Sequence, residues 1–229
     1  MTDILRCKFA ENEYGVYCIP ENSIHRPAAQ SALRGEVWEP ETIKFMREKC
    51  RAGTVIHAGT YYGDFLPALG MCSKVLAYEP SRENYRCAEI TMLMNGLQNT
   101  ILKNFALGES WGITDLQVRD ANGLGMGGTS KVVDKSTDTT EIIEVRKIDD
   151  EVKLHVNDYV SIIQLDVEGY EEKALKGAVT TLREFKPILI LEMWSKEAYN
   201  TEFFNDVIFG ELGYTFHRNV HDNIVLIAQ

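Results

Sequence analysis

The stretch Thr54-Val55-Ile56-His57-Ala58-Gly59-Thr60-Tyr61-Tyr62-Gly63-Asp64 decides how the rest of the chain is read. Its apolar start runs into two glycines, the pattern of a buried strand that ends in a tight turn and opens into a helix. Gly59 permits the turn, and Gly63 permits the close approach of the following helix or of a ligand. In an open α/β sheet the crevice beyond such a strand end is where nucleotides bind. About twenty residues on, the apolar run Lys74–Tyr78 ends in Glu79-Pro80, which sets an acid where it can accept hydrogen bonds from a ribose diol. The turn and the acid together point to an adenosine-containing cofactor.

Outward from this pair the chain alternates strands and helices. Before it, residues 1–35 read as an irregular lead-in with a short hairpin strand at 14–19, and Pro40 opens a helix with Ile43, Met46 and Cys50 on one face. After it come a short helix at 64–70, the strand ending at Glu79, and a helix at 81–94 with Ser81 as N-cap and Asn95-Gly96 as its stop. A third strand at 100–105 leads into a Gly-, Ser-, Thr- and Asp-rich segment, residues 109–147. β-like pieces at 113–119 and 141–145 flank a glycine loop at 122–128 there, which either closes over an acceptor or is disordered. Val160–Leu165 is a continuous apolar strand, followed by one helix at 171–185, a strand at 188–191 and a helix at 198–209. Strands at 214–218 and 224–228 close the chain as a hairpin. This order gives an α/β fold, a mostly parallel sheet with an antiparallel edge, as a single domain over 1–229.

Composition sets bounds on the partners. The 229 residues are 45% hydrophobic and 25% charged, as in an ordinary soluble domain. A net charge of −10 disfavours a nucleic-acid partner, which needs a basic stripe. The start carries no secretory signal, no stretch reaches membrane-spanning length, and five cysteines without CxxC spacing read as free thiols, so a reducing cytoplasm is expected.

With the strand exits assigned, the pattern resembles a class I S-adenosylmethionine-dependent methyltransferase and, more narrowly, the FkbM family. The resemblance rests on three segments: residues 55–64 with Tyr78-Glu79-Pro80 and Asn95-Gly96, then Asn104-Phe105-Ala106-Leu107-Gly108 with the glycine-rich extension, and Ile148-Asp149-Asp150 with Ile163-Gln164-Leu165-Asp166-Val167-Glu168-Gly169-Tyr170-Glu171. It spans roughly residues 35–195 and implies a Rossmann-like, seven-stranded sheet. It also implies methyl donation from S-adenosylmethionine, commonly to a hydroxyl, and hence a small-molecule or carbohydrate hydroxyl acceptor. Carried over position by position, it implies that His57, Ala58, Gly59, Thr60, Tyr61, Gly63 and Asp64 line the methionine and ribose side. Glu79, with Pro80 and Ser81, would hold the ribose hydroxyls. Asn104, Ala106 and Leu107 would sit against the adenine, and Asp166 near the transferring methyl.

One position departs from the pattern. The family opens its first motif with an acid two residues before the glycine, and this chain has His57 there. Either Glu39, Asp64 or Asp166 then faces the methionine ammonium, or the cofactor binds weakly, or the fold serves another use.

Methyl transfer from a sulfonium is an in-line displacement, so positioning dominates and a hydroxyl acceptor needs a base. Asp166 is the first candidate for that base and Glu168 the second, against the plainer reading that Asp166 caps a helix or touches the cofactor. His57 could serve as a base, but a lone strand-end histidine is more often a hydrogen-bonded structural residue. Trp194 either stacks on an acceptor or packs in the core. Asp166 and Glu192 sit on neighbouring strand ends and suit Mg²⁺ as a pair, but the sequence places no third ligand, and no metal is assigned. Two other uses stay open: a non-catalytic or altered-cofactor binding protein, and an NAD-type oxidoreductase, for which residues 58–64 lack the GxGxxG turn.

Overall fold

The structure, a computed structural model, describes residues 5–50, 52–192 and 196–228. The central sheet has seven strands, here numbered within that sheet: β1 Thr54–Ala58, β2 Lys74–Tyr78, β3 Thr100–Lys103, β4 Val160–Leu165, β5 Ile188–Glu192, β6 Tyr214–Val220 and β7 Asn223–Ala228. Their spatial order is β6-β7-β5-β4-β1-β2-β3, parallel from β5 to β3, with β7 antiparallel to β5 and β6 antiparallel to β7. The expected α/β class with a mostly parallel sheet and a terminal antiparallel hairpin is what the chain adopts. Chain order reverses at β1, flanked by β2 on one side and β4 on the other. That is the switch point where open α/β sheets leave a crevice at the strands' carboxyl ends.

The two faces of the sheet follow strand periodicity. Ile56, Ala58, Leu76, Tyr78, Ile163 and Leu165 point to one core, closed by Ala174, Leu175 and Leu182. Val55, Val75, Ala77 and Ile162 point to the other, closed by Ile43 and Met46 of the helix Pro40–Lys49 and by Leu66 and Leu69. β1 is buried at all five residues because it is covered on both faces, which is why it reads as a continuous apolar run. His57 interrupts that run. It lies in register with Gln164 on β4, on the same face, and the two side chains hydrogen-bond each other. A buried polar group there is tolerated because its neighbour in register is its partner.

Several local expectations differ from what forms. The helix expected over 171–185 divides into Glu171–Lys176 and Val179–Phe185. The break occurs because Asp149 caps the second helix: its carboxylate accepts from Thr181 N at 2.8 Å, Thr180 N at 3.1 Å and the Thr181 hydroxyl at 2.7 Å. The helix expected over 198–209 becomes a 3₁₀ turn, Lys196–Tyr199, followed by a π-helical segment, Phe203–Glu211. Ser81 occupies the N-cap position of Arg82–Met94, but its side chain makes no cap bond, and Glu141 from the extension accepts from Arg82 N instead.

The lead-in is more ordered than its sequence suggests. It folds as a hairpin, Cys7–Asn12 with Gly15–Pro20, and a helix, Pro27–Leu33, that pack as a third cluster on Tyr61, Tyr62 and Cys87. The glycine-rich extension is a four-stranded sheet of 106–107, 140–146, 112–117 and 131–133 in that spatial order, with Leu116, Ile143 and Val145 inward. Among the described residues no helix is long and apolar enough to cross a membrane.

Candidate functional site

Gly59 starts the site. At φ +84° it takes a conformation side chains resist, and a Cβ there would lie 1.7 Å from the Asp166 carbonyl oxygen. The β1 and β4 exits therefore touch backbone to backbone, and Asp166 N donates to Ala58 O at 3.0 Å. This contact brings the two halves of the switch point together.

Two cavities open on either side of it. The first is a narrow slot of about 30 Å³ walled by Ala58, Gly59, Tyr78, Phe105, Ala106, Leu107, Leu116 and Val132, with Glu79 and Pro80 at its edge and Gly127-Gly128 over it. Its walls are largely apolar, and Glu79, the residue after the second strand, is 4% exposed. Glu79 is held in place by its own backbone surroundings: Oε2 accepts from Tyr61 N at 2.8 Å, and Oε1 from Ser81 N at 2.9 Å and Asn84 Nδ2 at 3.4 Å. Burial pushes its pKa up from 4.5 to about 8, because those donors only partly replace water around the charge.

The second cavity, about 240 Å³, is acidic. Glu39, Asp64, Asp166, Glu168, Glu192 and Asp222 line it together with His57, Trp38 and Tyr61, and Arg26 is the cation among its walls. Desolvation raises the pKa of Asp64 to about 8 and of Glu168 to about 7. Asp166 rises well above its ordinary value through burial and its contact with Glu192. Glu39 rises as well through burial, although Asn223 Nδ2 donates to it at 2.8 Å. His57 behaves oppositely. Burial holds it neutral, with a pKa lowered to about 4, and its ring stacks on Phe65 at 5.3 Å. An imidazole so far below neutrality is a weak base.

Local backbone strain gathers here. Glu39, Tyr61 and Glu168 of the cavity wall, and His221 beside Glu39, all take positive φ, between 45° and 55°. Glu171 supports this arrangement: its Oε1 accepts from Val167 N at 3.1 Å and Gly169 N at 3.2 Å, fixing the exit loop that carries Glu168.

The structure brings together most, but not all, of the residues singled out by sequence. Ala58, Gly59, Glu79, Pro80, Ala106 and Leu107 border the slot, His57, Tyr61, Asp64 and Glu168 border the acidic cavity, and Asp166 and Gly59 border both. Four expected cofactor residues border neither. Gly63 packs against the helix Arg82–Met94, near the Ala88 Cα, so its missing side chain serves helix approach. Thr60 is fully buried, with its hydroxyl on His57 O at 3.4 Å. Ser81 contributes its backbone N–H to Glu79. Asn104 ties down the turn by donating to Glu79 O and Pro80 O, both at 2.9 Å.

Sequence reading missed Arg26, Trp38 and Asp222, which the lead-in and the β6–β7 turn carry to the acidic cavity and which no local pattern marks. The glycine loop, left open between lid and disorder, has its Gly127–Thr129 end folded as a 3₁₀ turn, with Gly127 O accepting from Asn84 Nδ2 at 3.1 Å. Trp194 lies outside the described residues.

The family model of the methyltransferase FkbM domain matches residues 57–216. No curated protein matches the chain in sequence. Among solved structures, the chain is similar to methyltransferase FkbM from Methylobacillus flagellatus KT, at 19% identity and a TM-score of 0.53, over 77% of this chain and 43% of that one. It also aligns with a SAM dependent methyltransferase from Aquifex aeolicus at 15% identity and TM-score 0.46, over 90% and 93% of the two chains. A precorrin-6y C5,15-methyltransferase from Geobacter metallireducens GS-15 aligns at 10% identity and TM-score 0.48, over 92% and 91%. The chain thus spans less than half the length of the first of these relatives.

Proposed function

Because the chain belongs to the FkbM methyltransferase family, we infer that it transfers the methyl group of S-adenosylmethionine to a hydroxyl oxygen of a small molecule or a carbohydrate. The observation that carries this reading is the position of Asp166, which borders both the apolar slot beside Glu79 and the acidic cavity. A transfer reaction needs such a junction between the donor's place and the acceptor's.

The donor set fits the cofactor. Glu79 is a buried carboxylate with no cation among its hydrogen-bond partners, oriented by two backbone N–H groups at the mouth of an apolar slot. Ribose hydroxyls would donate to it and stabilise its charged form. Tyr78, Phe105 and Leu107 supply a surface for a flat base. The slot as it stands is too narrow for adenosine, so Gly127 and Gly128 must shift outward to admit it. Glu39 or Asp64 faces the methionine ammonium in the role that His57, held neutral, does not fill.

Bound S-adenosylmethionine supplies an electrophilic methyl on a sulfonium. The protein's part is to hold the acceptor oxygen in line with it and to take the acceptor's proton. Glu168 suits that task because burial raises its carboxyl to about 7, and Asp166 because it borders both cavities, where it can meet the acceptor. Residues 1–50 and 109–147 serve the same domain as cover for the two cavities, and the five free cysteines accord with a reducing cytoplasm.

Calorimetric titration with S-adenosylmethionine, S-adenosylhomocysteine and NAD tests the reading. Micromolar binding of the two adenosyl compounds and none of NAD is expected. Glu79→Ala should abolish that binding, and Asp166→Ala should spare it while cutting turnover. Failure of both adenosyl compounds to bind would overturn the cofactor assignment.

A further inference from the structure

We propose that Asp166, Glu168 and Glu192 form a binding site for one hard divalent cation, of the Mg²⁺, Mn²⁺ or Ca²⁺ class, at the junction of the two cavities. Each of the three offers a carboxylate oxygen, and these oxygens all lie within 4.8 Å of one another. That is the span across an octahedral or wider shell with metal–oxygen bonds of roughly 2.4 Å, the Ca²⁺ distance, and a slight contraction would suit Mn²⁺ or Mg²⁺ at about 2.1 Å. Asp166 and Glu192 directly follow Leu165 and Leu191, which are in register on neighbouring parallel strands. Glu168 supplies the third ligand, which the strand ends alone lack.

Two buried atoms point to an occupant. Glu192 is 9% exposed, and its Oε2 has no hydrogen-bond partner. A carboxylate oxygen sealed from water and left bare is costly unless a cation meets it. His57, 2% exposed, lines the same cavity. Its Nδ1–H donates to Gln164 Oε1, which leaves Nε2 as the lone-pair nitrogen, and that atom is also without a partner. It is suited to accept from a metal-bound water.

Charge balance agrees. The groups facing the three acids are Glu39, Asp64 and Asp222 on the acidic side and Arg26 on the other, with Lys131 near enough to act on Glu168. A divalent ion among the three carboxylates would offset their mutual repulsion. Oxygen-only ligands favour a hard ion over zinc or copper. Three carboxylates leave further positions for water or for acceptor oxygens. The site stands on this geometry whether or not the acceptor is a hydroxyl.

The test uses the full chain with no adenosyl compound present, so its result is separate from that of the cofactor titration. Tb³⁺ luminescence excited through Trp38 and Tyr61, both in the cavity wall, reports occupancy. Competition by Mn²⁺, Ca²⁺ and Mg²⁺ ranks the ions, and loss of the free Mn²⁺ resonance signal counts them. One saturable site per chain is expected, weakened by about tenfold or more in Glu192→Gln and in Asp166→Asn. Asp222→Asn, in the same wall but outside the triad, should change affinity less than about twofold, the effect of one solvent-screened charge that is not a ligand. Should Glu192→Gln fail to fold, Glu168→Gln on the exit loop carries the same expectation. Absence of saturable binding at millimolar ion, or equal weakening by Asp222→Asn and Glu192→Gln, would overturn the site, the latter by showing diffuse attraction to an acidic surface.

Discussion

Replacing Glu79 by glutamine should flatten part of the dependence of stability on pH. Glu79 is 4% exposed, and its pKa is raised from 4.5 in the free side chain to about 8 in the fold. The folded protein therefore keeps a proton that the unfolded chain has already lost above pH 4.5. Its contribution to stability is full below that pH and disappears as pH rises through about 8. His57 acts in the opposite sense, since its pKa falls from 6.5 to about 4. The folded state excludes a proton that the unfolded state binds, so stability rises with pH across that window and the change is complete by 6.5. Above pH 6.5 His57 no longer contributes. From there to pH 8, Glu79 should cost about 2 kcal/mol, from roughly 1.36 kcal/mol per pH unit. Asp64 and Glu168, raised to about 8 and about 7, add in the same direction, discounted because water partly reaches both. Urea unfolding followed by tryptophan fluorescence, repeated at half-unit steps of pH, measures this. Glu79→Gln keeps the shape and removes the titration, so its curve should fall less steeply than the wild type by about 2 kcal/mol across the window. Parallel curves for the two proteins, or wild-type stability that rises above pH 6.5, would refute the burial argument for this carboxylate.

Two further outcomes follow from backbone contacts. Gly59→Ala places a Cβ 1.7 Å from the Asp166 carbonyl oxygen at φ +84°, so a loss of about 3 kcal/mol or more is expected, read as a large drop in urea midpoint or as insoluble protein. Gly63→Ala, whose nearest neighbours stand at 3.3 Å, should lose distinctly less in the same assay. Asp149→Ala removes the acceptor for Thr180 N, Thr181 N and the Thr181 hydroxyl, and should cost about 1–2 kcal/mol of stability with little change in the affinity for S-adenosylhomocysteine.

The sequence by itself determined the chain order of the central sheet's seven strands, because period and punctuation are local properties. Val55-Ile56, Lys74–Tyr78 and Val160–Leu165 read as buried strands since each is covered on both faces, and Gly59 read as a turn since few other residues adopt its φ. Glu79 was legible for the same reason: it ends a strand next to the switch strand, and distance along the chain fixes that placement. Tertiary structure decided the rest. Whether 171–185 is one helix or two depends on Asp149, far away in sequence, and whether Gly63 meets a ligand or a helix depends on where Arg82–Met94 packs. His57 is a weak base because the sheet is closed on both faces and burial disfavours its charged form, an effect the Gln164 hydrogen bond only partly opposes, and a lone histidine in a strand reveals neither. The acidic cavity draws carboxylates from the start of the helix Pro40–Lys49, three strand exits and the terminal hairpin turn. These residues are scattered between positions 39 and 222, and only the closing of the sheet brings their charges within reach of one another, where Coulomb interaction and shared desolvation reset their proton affinities.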